Sequence, residues 1–83
     1  MINLKLHVNI KDRSSVLFDG EADAVSTYND LGLFDVLPMH QNFITLIKNK
    51  VVVHSDGIPK KVIKLDSGLL KSRGNKVNIY LGV

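Results

Sequence analysis

The chain has no cysteine. That absence excludes disulfide scaffolds, thiolate metal sites and cysteine nucleophiles together. It has only 2 alanines and a single glutamate, Glu21, against 10 valines and 7 isoleucines. Alanine and glutamate are strong helix formers, whereas valine and isoleucine suit the pleated surface of a sheet. Long helices are therefore disfavoured and an all-β domain is expected. No apolar run approaches the roughly 18–20 residues that a membrane-spanning helix needs. The first 11 residues alternate apolar with polar side chains. A secretory signal instead sets a basic stretch before a continuous apolar one.

What is present fits one small domain covering residues 1–83. Apolar residues are 45% and charged residues 23%, a globular balance rather than a disordered one. The net charge of +3 is unevenly divided. Residues 1–41 carry three basic and six acidic groups, while residues 42–83 carry eight basic and two acidic ones. Such asymmetry is compatible with a nucleic-acid surface, but also with solvated lysines that protect strand edges. The basic half holds two aromatics, Phe43 and Tyr80. Base stacking needs aromatics interleaved with the cations, and that interleaving is missing.

Periodicity supports about eight to ten short strands. Leu4, Leu6, Val8 and Ile10 alternate with Lys5, His7, Asn9 and Lys11, which predicts a strand with one buried face. Val16-Leu17-Phe18 begins a second strand, and Asp19-Gly20 reads as a tight turn or bulge. Residues 22–28 read as a third strand, with Ala22, Ala24 and Ser26 on one face. Gly32 opens an apolar stretch that Pro38 ends. Residues 42–48 are apolar on both faces in their middle, which predicts a strand covered on both sides. Asn49-Lys50 reads as a short turn, Ser55-Asp56-Gly57 as a hairpin and Ser67-Gly68 as an interruption. Arg73-Gly74-Asn75 is another turn, after which Val77, Ile79 and Leu81 point inward. Turn signals every five to ten residues fit a small two-sheet sandwich or barrel.

No catalytic constellation is legible. His7, His40 and His54 are not paired at metal-ligand spacing, so no metal is expected. Asp19, Glu21 and Asp23 share a strand face but lack an apolar setting that would raise a pKa, and are expected to be solvated. The glycines form no cluster leading into a helix, so no phosphate-cradling loop is expected. Leu31, Leu33 and Phe34 sit in or beside a loop, where polar residues are usual. Phe34 could cap the core, but at least one of Leu31 and Leu33 is expected to face a partner.

Taken together, Phe18-Asp19-Gly20, the run from Gly32 to Val36, Leu37-Pro38-Met39-His40, Ser67-Gly68-Leu69-Leu70 and Arg73-Gly74-Asn75-Lys76-Val77 resemble a known pattern. They resemble the N-terminal β-sandwich of the F-type ATP synthase epsilon subunit, called delta in mitochondria. The resemblance covers all 83 residues, and the proline-x-histidine corner is its most specific piece. It implies a non-catalytic rotor part of a proton-translocating enzyme, without cofactor or small-molecule substrate. Its partners would be the gamma subunit and the c-ring. Its place would be peripheral, at the cytoplasmic face of a bacterial plasma membrane. The partner site implied is Asp30, Leu31, Gly32, Leu33 and His40. Leu33 stands where an acidic residue is common in the family, so an apolar contact would replace an ionic one. Met39 and Gln41 stand where glycine and alanine are common. The family continues into a two-helix hairpin, for which this sequence leaves no room. Inhibitory and nucleotide-binding roles are therefore not expected. The alternative reading is a basic β domain that binds nucleic acid through residues 42–83.

Overall fold

The computed structural model describes residues 4–39 and 42–82. Seven strands form one mixed sheet, and there is no helix among the described residues. The strands are β1 (Leu6–Lys11), β2 (Val16–Ala22), β3 (Ala24–Asn29), β4 (Gly32–Val36), β5 (Phe43–Ser55), β6 (Ile58–Arg73) and β7 (Lys76–Leu81). Their order is β2-β1-β7-β6-β5-β3-β4. Among the described residues β1 and β7 pair in parallel and the other ladders are antiparallel.

The all-β expectation holds, but the strands are fewer and longer than the turn signals suggest. Asn49-Lys50 is no turn: Asn49 takes a positive φ of 72° inside an unbroken β5. Ser67-Gly68 is no interruption: β6 runs through it for 16 residues. The register slips between Ile47 and Asn49, where β6 carries an extra residue. Such a bulge bends both strands and increases their twist. Beyond this corner β3 replaces β7 as the neighbour of the β5–β6 ribbon. Gly68 is required here. A Cβ on it would stand 3.0 Å from the Tyr80 carbonyl oxygen and 3.1 Å from Leu65 Cδ1.

The bend brings the inward faces of both ends of the sheet onto one core. Leu6, Val8 and Ile10 of β1 and Val77, Ile79 and Leu81 of β7 supply one side. Val25 of β3, Val36 of β4 and Val51 and Val53 of β5 belong to the same cluster. The period-two pattern predicted for β1 and β7 holds from Leu6 to Ile10 and from Val77 to Leu81, but Leu4, expected on the same buried face, precedes β1 and is exposed. That predicted for residues 22–28 does not hold. Ala22 is buried at the end of β2, but on β3 it is Val25 and Thr27 that are buried. Asp23 leaves the ladder between them, and the pleat changes face. Asp19-Gly20 likewise lies within β2 rather than at a turn, with the Phe18 ring 3.4 Å from where a Gly20 Cβ would be.

Candidate partner-binding site

The β3–β4 hairpin turns through two residues, Asp30 and Leu31, because Asn29 pairs directly with Gly32. Two features of the sequence make so short a turn possible. The Asn29 side chain accepts a hydrogen bond from Leu31 N at 2.8 Å, closing an Asx turn. Gly32 then takes a φ of 117°, which side chains rarely adopt. The result holds Leu31 out at 96% exposure and Leu33 at 64%. Both leucines therefore face outward. Phe34 turns the other way and packs on the core, its ring edge-on to Phe43 at 6.0 Å.

Asp30 is 3.5 Å from Lys48 on β5. Asn29 Nδ2 donates to Thr45 Oγ1 at 3.4 Å, so the tip leans on the first half of β5. Beneath it lies a shallow hollow of about 220 Å³, lined by Asp30, Leu46 and Lys48 among others. Leu46 and Ile44 are 68% and 62% exposed. The expectation that residues 42–48 form a strand covered on both sides is therefore corrected. Ile47 is buried, but Ile44 and Leu46 face away from the core. Sequence reasoning missed these two as surface residues. Apolar side chains on both faces read as a central strand, and nothing local separates that from one apolar face left open.

The structure brings Asp30, Leu31, Gly32 and Leu33 together. His40 lies outside the described residues. Its neighbour Met39 donates its N–H to Asn75 Oδ1 at 2.8 Å, in the β6–β7 turn. That is the other end of β4 from Leu31. Five strand residues, about 17 Å, lie between. Met39 has a φ of 68°, a conformation that costs a side-chain-bearing residue and suits glycine.

The opposite end of the molecule carries a polar network. Asp23 accepts from the Lys5 ammonium through Oδ1 and from Asp56 N through Oδ2. The Lys5 hydrogen bond first, and the Asp56 N–H next, hold the Asp23 carboxyl below the usual carboxylate range. Asp23 in turn raises the Lys5 pKa. Asp19 and Glu21 are exposed, as expected of the acidic trio, with Asp19 2.8 Å from His7 Nε2, whereas half-buried Asp23 ties β1's approach to the β5–β6 turn.

One side-chain group has the makings of nucleophile chemistry. Ser26 Oγ donates to Asp35 Oδ1 at 2.5 Å and lies 3.0 Å from His54 Nε2. With its proton on Asp35, the serine accepts from the histidine. An activated serine needs the reverse, a histidine base oriented by the carboxylate. Among the described residues no group of three or more metal-ligating side chains exists. Phe43 is engaged by Phe34, and Tyr80 lies under the Lys11 ammonium at 5.0 Å.

Residues 5–81 match the family described as ATP synthase, Delta/Epsilon chain, beta-sandwich domain. The ATP synthase epsilon chain of Caulobacter vibrioides is 34% identical over 64 residues, covering 77% of this chain and 74% of that one. The epsilon chain of Leptospira interrogans is 24% identical over 75 residues, covering 90% of this chain but 59% of the relative. The chain thus spans about three fifths of that relative's length. Among solved structures, a chain of the Euglena gracilis mitochondrial ATP synthase, OSCP/F1/c-ring in rotational state 1, superposes with a TM-score of 0.85 at 14% identity. That match covers 98% of this chain and 52% of the other. A chain of the Tetrahymena thermophila mitochondrial ATP synthase central stalk and c-ring gives 0.76 at 8% identity, covering 95% and 64%. At such identities the superpositions speak to the fold.

Proposed function

The chain belongs to the β-sandwich family of the ATP synthase delta/epsilon chain, and from that premise we propose that it is a non-catalytic subunit of the rotor stalk. It packs on the gamma subunit and on the c-ring of a proton-translocating F-type ATP synthase, and couples ring rotation to ATP synthesis. It sits peripherally, at the cytoplasmic face of a bacterial plasma membrane, through the complex.

The observation that carries the contact site is the β3–β4 tip. Leu31 and Leu33 are held outward by a two-residue turn, on a sheet whose interior is one continuous core. A torque-transmitting part needs rigidity behind its contact surface, and a doubled sheet around a close-packed core supplies it. Two neighbouring exposed leucines held on one rigid turn offer a ready apolar contact to a partner. In this reading Asp30, Leu31, Gly32 and Leu33 form the apolar contact. His40, which lies outside the described residues, is proposed to contribute to partner binding as well.

Mixing the chain with its gamma subunit and resolving the mixture by size exclusion tests this. A stable co-eluting complex at micromolar concentration is expected. Separate elution of the two would overturn the proposal.

A further inference from the structure

Three cations stand on one outer face of the sheet without acidic partners. Lys71 and Arg73 of β6 and Lys76 of β7 are exposed, while the residues between them in the pleat, Ser72 and Val77, are buried. The ladder sets Arg73 directly opposite Lys76, and Lys71 opposite Asn78. Directly opposed side chains have Cβ atoms about 4.5–5.5 Å apart, where like charges oppose folding. Among the described residues the ion pairs use Lys5, His7 and Lys48, and none of these three cations. The acids on the same face, Asp19 and Glu21, stand on β2, beyond β1. His7 already engages Asp19.

Edge protection explains outward lysines elsewhere in the molecule but not here. Lys60, Lys61 and Lys64 lie on the part of β6 that ladders only with β5, where charge deters pairing with another chain. Lys71 has ladder partners on both sides, Ile44 and Asn78. So does Lys76, between Arg73 and His7. Neither position is an edge.

The three cations line a hollow of about 520 Å³ together with Asn42, Gly74 and Asn78. Asn42 Oδ1 accepts from Gly74 N at 2.8 Å. That bond fixes the carboxamide and leaves its N–H groups as donors. The lining is thus rich in donors around a concentrated positive charge.

We propose that this hollow binds a multivalent phosphate oxyanion. Three positive charges and the carboxamide donors match a group with two or more negative charges and several acceptor oxygens. A lone carboxylate would leave most of the charge uncompensated. Arg73 supplies the planar fork suited to phosphate, and the lysines act as point charges. The site is distinct from the β3–β4 tip and does not rest on the family reading.

Titrating the full chain with sodium tripolyphosphate at fixed ionic strength, followed by amide chemical shifts, tests it, with sodium chloride as reference. Saturable shifts confined to residue 42 and residues 71–78 are expected. Lys71→Ala/Arg73→Ala/Lys76→Ala should weaken binding by about tenfold or more, because charge-assisted hydrogen bonds are lost. Lys60→Ala/Lys61→Ala should change it by less than about twofold, since only screened long-range charge is removed. If the triple variant fails to fold, the milder Lys71→Gln/Lys76→Gln takes its place. A parallel arm measures co-sedimentation with phosphatidic acid vesicles against phosphatidylcholine vesicles. Tighter binding to phosphatidic acid than to tripolyphosphate identifies a lipid phosphate, and the reverse a soluble one. Either result supports the proposal. Unsaturable shifts, shifts spread equally over Lys60, Lys61 and Lys64, or tighter binding of poly-glutamate of matched charge would overturn it.

Discussion

The two hairpin ends of this sandwich are built in opposite ways. At the β5–β6 turn, Asp56 and Gly57 both take positive φ, and the turn is polar. Asp23 grips it through Asp56 N and is itself gripped by Lys5. That end directs its side chains to the fold. At the β3–β4 turn Asn29 accepts from Leu31 N, Asn29 and Asp30 lean on Thr45 and Lys48 of β5, and Leu31 and Leu33 point into solvent. That end presents its leucines outward. The difference teaches where to look for function when the described residues assemble no catalytic constellation: at the turn whose apolar residues do nothing for the core.

Both ends depend on the same interior, so the largest expected effect comes from there. Leu70 is fully buried. Leu70→Ala should lower unfolding free energy by about 3 kcal/mol, the range for large-to-small changes in a close-packed core. Chemical denaturation measures it, and a loss below about 1 kcal/mol would mean the core relaxes far more than its packing implies.

The outward end should show the reverse pattern. Leu33→Asp should weaken association with the c-ring by about tenfold, by placing an unpaired charge in an apolar contact, while thermal melting stays unchanged. Unaltered assembly would move the contact to another surface, and Ile44 and Leu46 would be the next to examine. Met39→Gly sharpens the comparison from the third corner. Relief of the positive φ should raise stability by about 1 kcal/mol, less the entropy glycine adds to the unfolded chain. A destabilised variant would show that the Met39 side chain contributes more than its conformation costs.

The inward end should be sensitive to pH. The Lys5 ammonium and the Asp56 N–H hold the folded pKa of Asp23 below the ordinary carboxylate value. Its contribution is therefore present above that value and lost as pH falls through the folded pKa. Asp23→Asn should flatten the acid limb of the stability profile below about pH 4, while the contribution of Asp12, also depressed by the Ser14 and Ser15 N–H groups, persists in both proteins. Identical acid limbs would mean that the Lys5–Asp23–Asp56 network holds nothing. The smallest effect belongs to Leu31→Ser. It should alter stability by less than about 0.5 kcal/mol, since a side chain in water in both states has little to lose on truncation.

Much of this was legible in the sequence where one face of a strand is buried and the other wet. Leu6, Val8 and Ile10, and Val77, Ile79 and Leu81, alternate cleanly because each strand keeps one register over its length. Legibility failed at three places, each with a physical cause. Asp23 leaves the ladder, so alternation counted through it assigns Ala24 and Ser26 to the wrong face. The bulge around Asn49 mimics a turn, because positive φ is common to both. Ile44 and Leu46 look like core, since hydrophobicity does not reveal whether a second layer covers a face. At the site, apolar residues beside a loop pointed to Leu31 and Leu33 as candidates for a surface contact, and both are exposed. His40, grouped with them, lies outside the described residues.

The central claim is that the β3–β4 tip is the surface this chain presents to the rotor. Amide hydrogen exchange on the free chain and on the chain assembled with its gamma subunit and c-ring tests it most directly. The account predicts protection gained at residues 29–34, with little change at the β5–β6 turn that Asp23 already holds. Protection gained at the β5–β6 turn, with residues 29–34 exchanging as freely as before, would contradict it.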